Sequence, residues 1–272
     1  MNSKENNAFI TALTNKKYIP GVKALSRCLK AVNSRYDLVI LIPEERKEEF
    51  VNDTEFVEFV ADSYNCRLRF APLIKLPKSE SIKIDTAHSY WTESFFKLQA
   101  SGCTEYEKLV LLDSDMMIQS NIDGLFEHPH LSAVNADKYD DPDCKDLNSG
   151  LLVFEPSTEM NDRLIENIPP IIAEFDKMGR YCGDQDVFRR SYPEWKNDTS
   201  LRLDDKYNVF FVHIKDFCRQ NGCRPEDASV IHFIGEIKPW MYSGAGLIVR
   251  VAKFVLKSRK VSVWLKYRRY CK

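Results

Sequence analysis

The feature that most constrains this chain is a set of short, nearly continuous apolar runs, each too short for a helix and each followed by polar residues. They are Ala8 to Leu13 (AFITAL), Asp37 to Ile42 (DLVILI), Lys108 to Leu112 (KLVLL) and Leu151 to Phe154 (LLVF). Runs of this kind read as buried strands, which need helices packed over them. The segments between them supply helices: one from about Tyr18 to Val32, a charged one from Glu44 after Pro43, and one from Ser89 to Gln99. Arg67 to Phe70 and Val230 to Gly235 read as further strands. Strands alternating with helices predict an α/β fold with a mostly parallel, doubly wound sheet. At 272 residues, with no linker, repeat or low-complexity tract, one such domain accounts for the chain.

Composition narrows the function classes. A net charge of −1 gives no sign of a nucleic-acid partner, so none is expected. No apolar run approaches the roughly 20 residues that span a bilayer. The N-terminus, Met1 to Asn7, is polar and lacks the apolar core of a secretory signal, so a cytoplasmic protein with reduced thiols is expected from its eight cysteines. Cys218 and Cys223 could form half of a zinc site, but no second pair at ligand spacing accompanies them, and no zinc is expected. The first strand is followed by Thr-Asn-Lys-Lys instead of a glycine-rich turn, which disfavours a dinucleotide cofactor.

The chemistry starts at Asp113-Ser-Asp115, directly after the run Lys108 to Leu112. In extended chain, residues two apart point to the same side, so both carboxylates can face one divalent cation, or one of them a ribose hydroxyl. Oxygen ligands suit Mg²⁺ or Mn²⁺, and such an ion bridges the phosphates of a nucleotide. A plain Asp-Ser turn is the competing reading. Three other segments add polar groups near apolar runs: Asn148-Ser-Gly150, Gly183-Asp-Gln-Asp186, and His232 to Trp240 (HFIGEIKPW). In the last, His232 offers an imidazole ligand, Gly235 lets backbone approach a phosphate, and Lys238 supplies a cation for it.

In order, AFITALTNKKYIPGVKALSRCL, FFKL, LVLLDSDMMI, NIDGLFE, LNSGLLVFEPS, GDQDVF and HFIGEIKPW resemble the glycogenin and galactinol synthase group of glycosyltransferase family 8, from Ala8 to about Tyr242. The resemblance implies a GT-A fold, a single Rossmann-like nucleotide-diphosphosugar domain over residues 1–245. It implies a retaining hexosyltransferase that takes glucose or galactose from a UDP-sugar, with Mn²⁺ or Mg²⁺ as cofactor. Carried onto this sequence, it assigns Asp113, Asp115 and His232 to the metal. Thr14, Asn15 and Tyr18 surround uridine, with Tyr18 stacked on the base. Lys97 lies near the donor sugar and phosphates, and Asn148 and Ser149 near the sugar. Asp184 and Gln185 stand beside the anomeric carbon, and Gly235 and Lys238 grip the diphosphate. Asp184 acts either as a transient nucleophile or as the charge partner of an oxocarbenium-like sugar, and the family leaves that choice open.

Leu13 departs from the family, standing where glycogenin has a threonine, and Tyr207 has no secure counterpart. Several residues are set aside on bland readings. His128 and His130 are taken as surface residues, Asp123 as a turn residue, Asp186 as a possible helix cap and Tyr90 and Trp91 as core or cleft aromatics. Asp140 to Asp143 fits a solvated turn or a loop over the donor.

Residues 246–272 form a basic extension with nine Lys or Arg and no acid, against a net of −10 for the rest. Leu247, Val251, Phe254, Ser258, Val261 and Leu265 trace one helical stripe, opposite Arg250, Lys253, Lys257 and Lys260. That pattern suits peripheral attachment to an anionic membrane or a closing helix on the core, and Lys260 to Tyr267 also alternates as a strand would. The acceptor is open among a polyol, a glycan and a lipid-linked sugar. The alternatives are a haloacid-dehalogenase-type phosphatase, which also carries Asp-x-Asp after a strand, and a sugar-nucleotide-binding protein without turnover.

Overall fold

The computed structural model describes residues 6–63, 65–79, 93–136, 138–139, 141, 143–235, 237–256 and 260–272, the side chains of 253–256 and 260 excepted. Its frame is a six-stranded sheet in the order β3-β2-β1-β4-β7-β6: β1 (Asn7–Ala12), β2 (Asp37–Pro43), β3 (Cys66–Ala71), β4 (Lys108–Leu112), β6 (Ser132–Asn135) and β7 (Leu147–Phe154). The first four strands are parallel; β7 runs antiparallel to both β4 and β6. Alternation along the strands explains why the apolar runs are continuous. Phe9, Ile40 and Val110 enter one core with Val22 and Leu25 of α1 (Ile19–Ala31). Ile10, Val39 and Leu111 enter another with Leu164 and Ile168 of α4 (Thr158–Met178). Pro20 sits in the first turn of α1, where its missing N–H costs no bond. Helices α2 (Lys47–Val51) and α3 (Thr54–Asp62) follow β2, α3 being capped by Asp53, which accepts from Phe56 N at 3.1 Å.

A second, three-stranded sheet stands at the carboxyl edge of the first: β5 (Met116–Ile118), β9 (Val230–His232) and β8 (Val209–Phe210), in the order β5-β9-β8. Only residues 113–115 separate β4 from β5, so the acidic pair lies at the junction of the two sheets.

Some sequence expectations change. Asn148, Ser149 and Gly150 do not precede the strand; they lie inside β7, buried throughout. These residue types are poor strand formers, so no periodicity announces them. Of Ser89 to Gln99, residues 89–92 lie outside the described residues, Tyr90 and Trp91 among them, and Phe95–Gly102 forms 3₁₀ turns. Asp123 is more than a turn residue, since its carboxylate accepts from Ser34 Oγ at 2.6 Å and Arg35 N at 3.1 Å.

The basic C-terminal segment folds as two helices, α7 (Gly244–Leu256) and α8 (Lys260–Tyr270), after α5 (Asp184–Ser191) and α6 (Ile214–Asn221). The buried face of α8 is not the stripe through Val261 and Leu265 but Val263, Trp264 and Tyr267, which join Cys271 in the α1 core. Lys260 to Tyr267 is helix, not strand. Among the described residues no helix is long and apolar enough to cross a membrane. All eight cysteines are free, and burial pushes the Cys28, Cys103, Cys182 and Cys271 thiols up to about 12, so they stay protonated.

Candidate active site

The acidic loop is pinned from two sides. Asp113 N donates to Gly150 O at 2.9 Å, a contact made possible because antiparallel β7 brings its first half to the carboxyl end of β4. Asp115 O accepts from Phe233 N at 2.9 Å, extending the β5–β9 ladder in which Met116 faces His232. From behind, α1 lies so close that a Cβ on Gly21 would fall 2.2 Å from the Ser114 carbonyl oxygen and 2.9 Å from the Trp240 ring. Glycine is required here by contact. Gly21→Ala is therefore expected to shift the loop or the helix, costing about 1–3 kcal/mol and weakening divalent-ion binding. Wild-type melting temperature together with wild-type metal affinity would contradict this.

The three sequence-assigned metal ligands come together, with one ligand atom from each of Asp113, Asp115 and His232 within 4.8 Å of the others. His232 Nε2 stands 3.0 Å from Asp115 Oδ1 and 3.7 Å from Asp113 Oδ2. Its other nitrogen, Nδ1, faces Asn208 Oδ1 at 3.1 Å. Asn208 Nδ2 in turn donates to Asn148 Oδ1 at 2.8 Å, which fixes the amide oxygen toward the imidazole. Nδ1 then carries a proton, and Nε2 is the ring nitrogen that faces both carboxylates and would hold a metal between them. Two carboxylates and an imidazole nitrogen converging on one point fit a divalent metal. Gly150 makes room for the imidazole, since a Cβ there would lie 2.9 Å from His232 Cε1 and 3.0 Å from Asn148 Oδ1. Gly150→Ala should displace His232 and lower the affinity for a divalent ion by about 10–100-fold with the far-UV circular dichroism of the wild type. An unchanged titration would count against it.

Two buried lysines balance the acids. Lys97 Nζ lies 2.9 Å from Asp113 Oδ1 and 2.7 Å from Asp184 Oδ2; Lys238 Nζ lies 2.5 Å from Asp115 Oδ2 and 3.2 Å from Phe233 O. Burial works to lower the Lys97 pKa, yet Asp113 and Asp184 override it and hold the ammonium charged. Asp115 is the mirror case: burial favours its acid form, but His232 and Lys238 keep its pKa below the ordinary carboxylate range. The pKa of Asp113 is raised, burial being the main cause. Apart from the imidazole, three carboxylates against two ammonium groups leave one negative charge in excess, which a divalent ion would reverse.

Asp184 opens α5, buried, and accepts from Ser149 Oγ at 2.7 Å; Gln185 Oε1 accepts from Ser149 N at 3.1 Å. Asp186 is a cap, its carboxylate accepting from Gly183 N at 2.9 Å. Thr14, Tyr18, Lys97, Asp113, Asp115, Asn148, Ser149, Asp184, Gln185, His232, Gly235 and Lys238 line one cleft of about 380 Å³. That volume is within the range of small-molecule sites. Asn15 does not line it, because its side chain accepts from Lys17 N at 3.0 Å and caps the turn before α1. Gly235 has φ +99° with nothing within 4 Å of its would-be Cβ, so it is needed for conformation and not for close packing. Tyr207 packs on the core and does not line the cleft.

Sequence reasoning missed Asn208, which orients His232, and Phe210, whose ring stands edge-on to the imidazole at 5.3 Å. It also missed Glu93, which lines the cleft, accepts from Thr14 Oγ1 at 3.1 Å and pairs with Arg46 at 3.3 Å. An isolated Asn or Glu carries no local signal.

The sequence profile described as Glycosyl transferase family 8 matches residues 9–244. The chain is 29% identical over 243 residues to glycogenin-1 of Mus musculus, covering 87% of this chain and 66% of that protein. It is 28% identical over 236 residues to a putative UDP-glucuronate:xylan alpha-glucuronosyltransferase 5 of Arabidopsis thaliana, covering 86% and 36%. It thus spans just under two thirds of the first relative and about a third of the second. Among solved structures, the glycosyltransferase GlyE of Streptococcus pneumoniae superposes with a TM-score of 0.61 at 19% identity, covering 97% of this chain and 60% of that one. The galactosyltransferase LgtC, solved with donor and acceptor sugar analogs, gives 0.58 at 13% identity, covering 96% and 95%. These likenesses establish the GT-A fold for the two-sheet frame described above. With the match running through nearly the whole described frame, the chain belongs to glycosyl transferase family 8.

Proposed function

We propose that this transferase moves a hexose from a UDP-sugar to an acceptor hydroxyl with retention at the anomeric carbon, using Mn²⁺ (or Mg²⁺) held by Asp113, Asp115 and His232. The observation that carries the reading is the convergence of that cluster with Lys97, Lys238 and Asp184 in one cleft. A relative whose name includes a UDP-glucuronate donor supports the choice of nucleotide. Family membership sets the phosphatase alternative aside.

In the transfer, the bond from the sugar anomeric carbon to the diphosphate oxygen breaks, and its electron pair stays on UDP. The acceptor oxygen bonds to that carbon, and the acceptor's proton passes to the departing phosphate. The metal, when bound, supplies charge stabilisation for the diphosphate. Lys238 adds a preorganised cation, fixed by Asp115 and the Phe233 carbonyl. Asp184, oriented by Ser149 and Lys97, carries the negative charge that the developing sugar cation needs. It does so as a nucleophile on a double-displacement route or as a charge partner on a same-face route. Tyr18 offers its ring to the base.

The test is a screen of UDP-glucose, UDP-galactose and related donors with Mn²⁺, against inositol, free sugars, glycans and lipid-linked acceptors. Metal-dependent release of UDP with a new glycosidic product is expected. UDP-sugar binding with no turnover for any acceptor or water would instead favour the non-catalytic reading, and turnover insensitive to chelation would sink the metal. A cytoplasmic site of action and contact of α7 with an anionic membrane belong to the same reading. The membrane contact draws support from Ile248 and Val249, which stand 71% and 53% exposed beside Arg250. Sedimentation with vesicles containing phosphatidylglycerol, lost in high salt, is the expected behaviour; equal sedimentation with neutral vesicles would contradict the electrostatic contact.

A further inference from the structure

In the loop from Phe233 to Trp240, which carries Gly235 and Lys238, the contacts of the described residues gather toward the two ends. Ile234 and Ile237 stand 39% and 62% exposed, and no heavy atom lies within 4 Å of a would-be Cβ on Gly235. Its described residues are placed by two anchors together with the Lys238–Asp115 pair. At the first, Phe233 donates its N–H to Asp115 O and accepts Lys238 Nζ on its carbonyl. The ring of Phe233 is sandwiched between Phe211 (4.9 Å, 23°) and Tyr267 of α8 (4.2 Å, 6°). At the second, Trp240 donates Nε1–H to Lys17 O at 2.9 Å and packs edge-on against Tyr18 and, at 5.9 Å, against Tyr267. Tyr267 thus touches both ends of the loop. Its neighbour Arg268 lies over Trp264 at 5.2 Å and donates to the Pro239 carbonyl, one residue from Lys238. The helix is itself tied to α1, through Arg27 to Tyr270 O at 2.6 Å.

Resting on the donor reading above, we infer that α8 is a positioning element of the nucleotide site: Tyr267 and Arg268 hold Phe233, Pro239 and Trp240 where they present Lys238 to a diphosphate. The basic C-terminal segment would then serve donor binding directly, whatever else its charge attracts. The metal ligands depend on this support far less, since Asp113, Asp115 and His232 are set by the β4–β7 and β5–β9 pairings and Phe233 reaches Asp115 through its backbone N–H alone. Loss of the α8 contacts should weaken nucleotide uptake and spare the ion.

The experiment compares wild type, Arg268→Ala, Tyr267→Leu and Tyr267→Phe for Mn²⁺ binding alone, UDP binding at saturating Mn²⁺, and hydrogen exchange over residues 233–241. Arg268→Ala and Tyr267→Leu should weaken UDP by about tenfold, speed exchange in that segment selectively, and leave Mn²⁺ affinity within about twofold. Tyr267→Phe keeps the ring and should match wild type. Arg268, half-buried on a helix surface, keeps the test open if Tyr267→Leu fails to fold. UDP affinity and exchange equal to wild type in Arg268→Ala would overturn the inference, as would a global rise in exchange with equal losses of Mn²⁺ and UDP. A wild type that takes up Mn²⁺ and no UDP would overturn the donor reading, and the inference with it.

Discussion

Asp115→Asn is expected to reduce UDP-sugar turnover by about 10³-fold or more, the scale of removing several kcal/mol of charge stabilisation. Asp115 is the point where three parts of the site meet. One oxygen faces His232 Nε2 at 3.0 Å, the other Lys238 Nζ at 2.5 Å, and its carbonyl receives the Phe233 amide. The amide side chain keeps the shape and removes the charge, so the proposed metal site loses an anionic ligand and Lys238 loses its ion pair. Asp115→Ala should do as much to activity and also destabilise the fold, because a buried ammonium left without its partner costs about 3–5 kcal/mol. The two variants separate chemistry from folding. Turnover of Asp115→Asn within tenfold of wild type, at saturating Mn²⁺, would sink the assignment.

Lys97→Met should have the second-largest effect, and its signature is a dependence on metal. Lys97 is the cation between Asp113 and Asp184, with side chains 8%, 27% and 9% exposed. Removing it leaves two carboxylates facing each other without the cation that separates them. In chelator the melting temperature should fall on the order of 10 °C, from about 3–5 kcal/mol. A divalent ion then replaces part of the lost positive charge. The variant should bind Mn²⁺ more tightly than wild type and gain more stability from it, while transfer is lost because Asp184 has lost its orienting partner. An unchanged melting temperature in chelator, or weaker Mn²⁺ binding than wild type, would contradict the charge argument.

Much of the frame was legible because strands buried on both faces leave continuous apolar runs, as in AFITAL and KLVLL. The acidic pair was legible for the same reason: carboxylates directly after such a run have few structural uses. His232 was a different case. Its pairing with Asp115 depends on β9 meeting β5 across more than a third of the chain, and only the HFIGEIKPW motif marked it. Asn148 and Ser149 were marked by motif but misplaced relative to their strand, since no local pattern tells that β7 runs antiparallel. The core face of α8 was missed because Trp264, Tyr267 and Cys271 interrupt a stripe that the neighbouring Val261 and Leu265 seemed to continue. Tertiary packing set the rotation of that helix, and propensity did not.

The β5–β9 ladder gives the metal cluster something like a reading frame. Side chains alternate across a strand, so a slip of one residue in the Met116–His232 pairing would turn the imidazole to the opposite face. One residue inserted into either short strand should therefore erase the cluster while leaving every ligand in the sequence. An insertion in the exposed turn at Asn197 and Asp198 stays outside that frame. Outer turns of this kind can lengthen without changing which residues meet, because the proposed ligands Asp115 and His232 are brought together by two three-residue strands.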